Sequence, residues 1–175
     1  AWNPVSRLYQ SADSLYNLPN ASRRTDSMAM DGFQKVTLRL TGLERSVERD
    51  SLLFQCFYKR GVLLEVYGGY EQATHSYLQA LSYAPDERRR LKMVVLAGAG
   101  YYNQNNFDSA NYFLLKAEES PRRELGTEDE VRLFNTLGVL YYDNGNYLQA
   151  KNYFSQALGS IHRHDPQDQF NSLSV

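Results

Sequence analysis

Apolar residues recur at steps of three and four along most of this chain, which is the spacing of one face of an α-helix. In the first such stretch they are Val5, Leu8, Tyr9, Ala12, Leu15 and Tyr16. All five prolines fall between stretches of this kind, where a missing N–H interrupts no hydrogen-bond ladder. The run Thr127-Glu128-Asp129-Glu130 precedes a further apolar stretch and predicts a capping box at a helix start. The pattern therefore predicts helices joined by short turns.

Three turn signals recur at nearly equal distances. They are Gly68-Gly69-Tyr70, Asn105-Asn106-Phe107 and Gly145-Asn146-Tyr147. Gly and Asn tolerate a positive φ at the end of a helix. The aromatic residues that close the three signals are 37 and then 40 residues apart, and the alanines three positions later, Ala73, Ala110 and Ala150, keep that spacing. The chain therefore contains an internal repeat.

Small residues stand between large ones on both helices of each repeat. Gly61, Gly98 and Gly138 each have a large residue four positions earlier and another three positions later. The repeated alanine follows twelve residues after each glycine, and four positions beyond it stand Tyr77, Leu114 and Phe154. Small side chains mark places where two helix backbones approach closely. We therefore expect the two helices of each repeat to pack through these positions.

This order of large and small residues resembles the tetratricopeptide repeat. The resemblance implies an all-α fold, a right-handed superhelical solenoid of antiparallel helix pairs. It places three clear units at residues 54–87, 91–124 and 131–164. The sequence departs from the motif at Arg60 and Ala97, which replace the usual leucine before the glycine, and at His162, which replaces the repeat-ending proline.

Both ends of the chain carry weaker signs of the same pattern. Residues 1–53 are interpreted as an N-terminal helical pair, a degenerate further repeat. Residues 165–175 align with residues 126–136 and predict the start of a further helix. This alignment sets Asp168 opposite Asp129, Phe170 opposite Val131 and Leu173 opposite Phe134. Because an array that ends inside a unit leaves an apolar face uncovered, we expect the sequence to be a fragment of a longer chain.

The resemblance also implies a concave groove, lined in such arrays by the residue after each glycine and its helical neighbours. Its predicted residues are Tyr58, Val62, Glu65, Val95, Ala99, Tyr102, Asn135, Val139 and Tyr142, with Lys92 and Arg132 as adjacent cations. The tyrosines just before two of them, Tyr101 and Tyr141, are predicted to pack in the core, because consecutive helix residues point about 100° apart. The chaperone-binding subset of this family has Lys and Asn where this chain has Tyr58 and Val62, so its carboxylate clamp is not carried over.

Composition and charge bear on the fold class, the partner classes and the compartment. Only 17 of 175 residues are β-branched, too few for a large sheet. The net charge of −1 does not favour nucleic acid or an anionic membrane surface. The longest apolar run, residues 93–102, is about half of the ~20 residues that span a bilayer. Ala1 in place of Met leaves the compartment open between the cytoplasm and, if a signal peptide preceded Ala1, the space outside it.

Candidate metal and nucleophile groups have simpler structural interpretations. His162 and His164 are alternate residues of a helix, about 200° apart, so they do not converge on one metal ion. Cys56 lies at a core position, and a buried thiol behaves as a small hydrophobe rather than as a nucleophile for a base such as His75. As the single cysteine it also excludes an internal disulfide. No metal site is predicted.

Two kinds of charged cluster are also interpreted as structural. The acidic run of residues 128–130 opens a helix, where the macrodipole stabilises negative charge. The basic clusters Arg88-Arg89-Arg90 and Arg122-Arg123 follow prolines beside acidic residues and are interpreted as solvated linkers. With no phosphate-binding loop and no Ser/His/Asp arrangement, the sequence predicts neither an enzyme nor a cofactor.

These observations favour a protein-interaction scaffold that binds a peptide or partner domain through the concave groove. The alternative is an N-terminal regulatory array of a longer bacterial protein, followed by an effector domain such as a CHAT-type protease or a histidine kinase. That effector would itself be a partner within the same chain. The sequence that follows Val175 discriminates between the two.

Overall fold

The computed structural model describes residues 2–163, and side chains from residue 4 onward. Within that range the chain forms eight α-helices and one short 3-10 turn, with no strand, so the all-α prediction is confirmed. The helices are α1 (Trp2–Tyr16), α2 (Arg23–Thr41), α3 (Val47–Val66), α4 (Tyr70–Leu81), α5 (Glu87–Asn103), α6 (Phe107–Glu118), α7 (Thr127–Asp143) and α8 (Tyr147–His162), with the 3-10 turn at Arg122–Glu124. Residues 165–175, where a further helix is predicted, lie outside the described range.

The chain divides into two compact units, Ala1–Met93 and Val94–Val175, with the boundary inside α5. The first unit holds α1 to α4 and the start of α5, and the second holds the rest of α5 and α6 to α8. The repeat limits 54–87, 91–124 and 131–164 stay predictions. Residue 54, where the first clear repeat is predicted to begin, lies inside α3.

In the first unit, small residues allow close helix contacts at two places. A Cβ on Gly32 of α2 would lie 2.7 Å from the Ala12 Cβ of α1, and one on Gly61 of α3 would lie 2.5 Å from the Tyr77 ring of α4. The buried Phe33 lies between α1 and α2, with its ring centroid 6.1 Å from the rings of Tyr9 and Tyr16. The close approach predicted at Gly61 is confirmed.

Buried polar contacts join α2 to α3 in the same unit. The Arg49 guanidinium is buried, and its Nε donates to the Leu40 carbonyl at 2.9 Å while its Nη1 pairs with Asp50 at 2.6 Å. At the other end of the two helices, the Tyr67 hydroxyl donates to the buried Asp26 carboxylate at 2.6 Å. A buried charge is tolerated only with such partners, so these bonds fix the two helices against each other.

The second unit repeats the contact between small and large residues. A Cβ on Gly98 of α5 would lie 2.8 Å from Leu114 of α6, and one on Gly138 of α7 would lie 2.5 Å from the ring of Phe154 of α8. The alanines at which the helices of each pair were predicted to touch are buried. They are Ala73, Ala110 and Ala150, and the alanines seven positions later, Ala80, Ala117 and Ala157, are buried as well.

The turn residues adopt the backbone that their types predict. Gly68, Asn105 and Gly145 have φ values of 77°, 58° and 74°. The residues that follow the latter two, Asn106 and Asn146, then cap α6 and α8, each with a side-chain oxygen 3.2 Å from a backbone nitrogen three positions on. The turns therefore end one helix and begin the next within a few residues.

The capping box predicted at the start of α7 is wrong. Gly126 is the N-cap residue and makes no side-chain cap, so Thr127 is already inside the helix. The Glu130 carboxylate is buried and accepts a hydrogen bond from Arg163 at 2.6 Å instead. The carboxylate that local spacing assigned to the cap thus pairs with a residue 33 positions away. A capping box does occur at the start of α2, between Ser22 and Thr25.

Candidate functional site

In the first unit, the predicted groove residues lie partly exposed on α3 and α5. Tyr58 stacks on Phe54 with ring centroids 6.2 Å apart, and the Lys92 ammonium lies 5.1 Å from the centroid of the Tyr58 ring. Glu65, one turn beyond Val62, accepts a hydrogen bond from the Tyr77 hydroxyl at 2.6 Å. Glu65 therefore also helps to position α4 against α3.

Helix α1 brings three further side chains to Lys59 of α3. The Lys59 ammonium pairs with Asp13, donates to the Tyr9 hydroxyl at 3.2 Å, and lies 5.3 Å from the centroid of the Tyr16 ring. Burial by itself lowers the pKa of Lys59, but the bonds to Asp13 and Tyr9 outweigh that effect and raise the pKa. Lys59 is therefore firmly cationic at neutral pH.

Two sets of contacts meet at the adjacent residues Tyr58 and Lys59 of α3, since Lys92 lies over the Tyr58 ring and Lys59 contacts α1. The pKa of the Tyr16 phenol is raised, because burial and the neighbouring Tyr58 outweigh the charges on Lys59 and Lys92, which lower it. Tyr16 therefore lies within electrostatic reach of all three. We call this surface the tyrosine–lysine cluster, and it consists of Tyr9, Asp13, Tyr16, Tyr58, Lys59 and Lys92.

Sequence reasoning missed the contribution of α1. It placed Tyr9 and Tyr16 on an apolar helix face and named no partner for that face. A usable signal was present, because residues 9, 13 and 16 are four and then three positions apart and lie on one face of a helix. The partner of that face, Lys59, lies 43 to 50 residues away in sequence, and no local pattern identifies it.

In the second unit, two of the predicted groove residues are closed to a ligand. Val95 and Ala99 are buried, as is every residue of α5 from 94 to 100. Their small and β-branched side chains act in packing along this part of the helix. We therefore leave both out of the surface proposed below.

The other predicted residues of the second unit remain accessible. Asn135 and Tyr142 are exposed, and Arg132, Val139 and Tyr102 are partly exposed. The Tyr102 hydroxyl donates to the Asp143 carboxylate at 2.7 Å, which connects α5 to the end of α7.

The prediction that Tyr101 and Tyr141 pack in the core is wrong in part, because each packs against an aromatic ring but neither is buried. Tyr101 lies 5.4 Å from the ring of Phe113, and Tyr141 lies 5.4 Å from the ring of the buried Tyr153. Both are nevertheless partly exposed. They pack at the margin of a helix pair rather than in its centre.

In the described part of the chain, the candidate thiol is buried and no set of metal ligands assembles. Burial raises the pKa of the Cys56 thiol to about 12, so it stays protonated at neutral pH. Among the described residues, no group of three metal-ligating side chains comes together, and His164 lies outside that range. The described helices include none that is both long and apolar enough to cross a membrane.

The predicted basic linker at the start of α5 is balanced by carboxylates. Arg89 pairs with Asp86, and Arg90 pairs with Glu87 through two bonds of 2.7 and 2.8 Å. These exposed pairs neutralise most of the cluster locally. The cluster therefore lacks the concentrated charge of a phosphate site.

We expect the phenol of Tyr102 to titrate unusually late. Burial, the hydrogen bond to Asp143 and the charge on Asp143 raise its pKa to about 12, against ~10 for an unfolded tyrosine. Because the folded state binds this proton more tightly, its contribution to stability is present below about pH 10 and is lost as the pH rises toward about 12. The pKa can be measured by NMR with ¹³Cζ-labelled tyrosine, assigned through Tyr102→Phe.

The carboxylate of Asp143 supplies the matched test. Asp143→Asn should move the Tyr102 pKa down toward that of a free tyrosine, whereas Asp108→Asn, at an exposed position of α6, should leave it in place. An ordinary Tyr102 pKa in the parent protein would contradict the hydrogen bond to Asp143.

Comparisons with known proteins support the fold. No protein-family profile matches the sequence, and no curated protein matches it. Solved structures are similar to it, among them two of MamA. A structure described as MamA 41-end from Desulfovibrio magneticus RS-1 aligns with a TM-score of 0.65 at 19% identity, over 92% of this chain and 77% of that one. The MamA RS-1 ArsTM double mutant aligns with a TM-score of 0.66 at 19% identity, over 93% and 78%. The likeness shows a tetratricopeptide-like helical-repeat fold.

Proposed function

We propose that this chain is a non-catalytic protein-interaction module whose tyrosine–lysine cluster binds an acidic segment of a partner protein. The observation that carries the proposal is that Lys59 and Lys92 both lie over tyrosine rings on a partly exposed surface built by α1, α3 and α5. Val62 and Glu65 extend that surface along α3. A helical-repeat fold supports such a role, because stacked helices present extended binding surfaces.

The chemistry of the cluster favours a carboxylate-bearing ligand. Of its two ammonium groups, that of Lys59 pairs with Asp13, so a ligand carboxylate would contact the ammonium group of Lys92, which lies over the Tyr58 ring. Tyrosine supplies large, rigid contact area at a small cost in conformational entropy, and its hydroxyl adds a polar contact. Because the cations already rest on the rings, fewer rotamers need to be ordered when a ligand binds.

A second set of predicted groove residues belongs to the other unit and is proposed as a further contact surface. It consists of Tyr102, Arg132, Asn135, Val139 and Tyr142. Tyr142 is the most accessible tyrosine of this set, with 57% of its surface exposed. Accessible aromatic residues with an arginine nearby are typical of protein-binding surfaces.

Reversing the charge of Lys92 should weaken the binding of acidic peptides. We expect peptides selected from a random display library on the 175-residue chain to be enriched in Asp and Glu. Lys92→Glu should weaken their binding by about tenfold or more, which corresponds to about 1.4 kcal/mol. Binding to the parent chain should also fall as salt is added. Calorimetric titration with the selected peptides measures both effects.

Arg88→Glu is the matched control, because it makes the same kind of charge reversal one turn earlier on α5, at an exposed position. It should leave peptide binding nearly unchanged. If Lys92→Glu and Tyr58→Ala both fold normally and bind the peptides as the parent does, the cluster is not the binding surface. Selected peptides without acidic enrichment would also contradict the proposal.

A further inference from the structure

The outer side of α8 presents an apolar surface at the end of the described chain. Tyr142, Tyr147, Phe154 and Leu158 expose 57%, 63%, 38% and 56% of their surfaces. Together with Ala150, Lys151 and Ser155 they line a recess of about 520 Å³. We call this surface the α8 end face. Apolar side chains grouped in this way, unlike single exposed ones, mark a place where something binds.

Equivalent positions in the earlier repeats show that such a face is normally covered. Phe154 corresponds to Leu114 of α6 and to Tyr77 of α4, which expose 0% and 1% of their surfaces. Each of the three residues contacts the glycine of its own helix pair, Gly138, Gly98 or Gly61, so that contact does not account for the difference. In the second unit α7 follows α6 and packs on it, whereas α8 is the last described helix. By the same pattern, the element that would cover the outer side of α8 follows α8 in the sequence.

We propose that residues 165–175 of this chain dock on the Phe154 and Leu158 part of the α8 end face through Phe170 and Leu173. In the repeat alignment this segment matches residues 126–136, which include the first turns of α7. Phe170 and Leu173 are three positions apart, so a helical segment presents both on one face. The inference concerns the chain's own packing and does not rest on the partner binding proposed above.

The position of residues 165–175 in the chain and their charge both favour docking on this face. Leu158 lies four residues, about 6 Å, before the end of α8, so a short turn returns the chain onto Leu158 and Phe154. The segment carries Asp165 and Asp168 and has no Lys or Arg. Its charge is thus opposite to that of Lys151 in the recess.

Hydrogen exchange of the 175-residue chain tests the docking. Phe170→Asp combined with Leu173→Asp should speed the exchange of the α8 amides by about tenfold, because those amides lose their cover. The matched control, Asn171→Asp combined with Ser174→Asp, introduces the same charges at neighbouring positions and should leave the exchange of α8 unchanged. Equal exchange in the two double variants would overturn the proposal.

Disulfide trapping distinguishes the segment from a second copy of the chain. Leu158→Cys with Phe170→Cys should form an intrachain disulfide under oxidised glutathione at low protein concentration, and Asn152→Cys with Phe170→Cys should not, because Asn152 is exposed outside the recess. Disulfides that form mainly between chains would show that a second copy occupies the face, and the proposal would be wrong. Equal trapping in both pairs would overturn it as well.

Discussion

Ala110→Arg is expected to unfold the second unit or to lower its stability by about 3 to 5 kcal/mol. Ala110 is fully buried on α6, at the repeated position where small side chains let the helices of a pair approach. Arginine there overfills the contact and carries a charge into a site that holds no partner built for it. Against a total folding free energy of about 5 to 15 kcal/mol, a loss of this size is severe. Thermal melts and urea titrations measure it.

Asn152→Arg provides the control, since it places the same side chain at an exposed position of α8 in the same unit. Exposed substitutions of this kind usually change stability by no more than about 0.5 kcal/mol. If the Ala110 and Asn152 variants melted alike, Ala110 would not lie at a helix contact, and the alignment of the repeats would be wrong.

Gly61→Ala should destabilise the first unit by about 1 to 3 kcal/mol, although alanine is the better helix former. The added Cβ would lie 2.5 and 2.7 Å from two atoms of the Tyr77 ring. That ring is buried, and its hydroxyl is held by Glu65 at 2.6 Å, so it has little room to withdraw. The free energy of unfolding in urea provides the measurement.

Gly159 and Gly138 provide comparisons for the destabilisation expected of Gly61→Ala. Gly159 has no atom within 4 Å of an added Cβ, so Gly159→Ala should be neutral or stabilise the protein by up to about 1 kcal/mol. Gly138 has an equally close contact with the ring of Phe154, so Gly138→Ala should also destabilise the protein. Equal stability of the Gly61 and Gly159 variants would show that the contact with Tyr77 is not tight.

The sequence by itself determined the helices, their turns and the contact within each helix pair. Helical periodicity and turn chemistry act between residues a few positions apart, so the positive φ of Gly68, Asn105 and Gly145 follows from residue type and position. The partners Gly61 and Tyr77 are sixteen residues apart, and a repeated pattern of small and large residues is enough to pair them. The same pattern placed Tyr58 and Tyr142 at positions that are at least partly exposed.

Only the tertiary structure decided which helix faces meet across longer distances. It brought Tyr9, Asp13 and Tyr16 to Lys59, buried Val95, and gave the Glu130 carboxylate to Arg163. Periodicity shows which residues share a face but leaves open which neighbour covers that face, because the neighbour is set by the packing of elements far apart in sequence. For that reason the sequence alone predicted the fold, whereas the composition of the tyrosine–lysine cluster depended on how α1 packs beside α3.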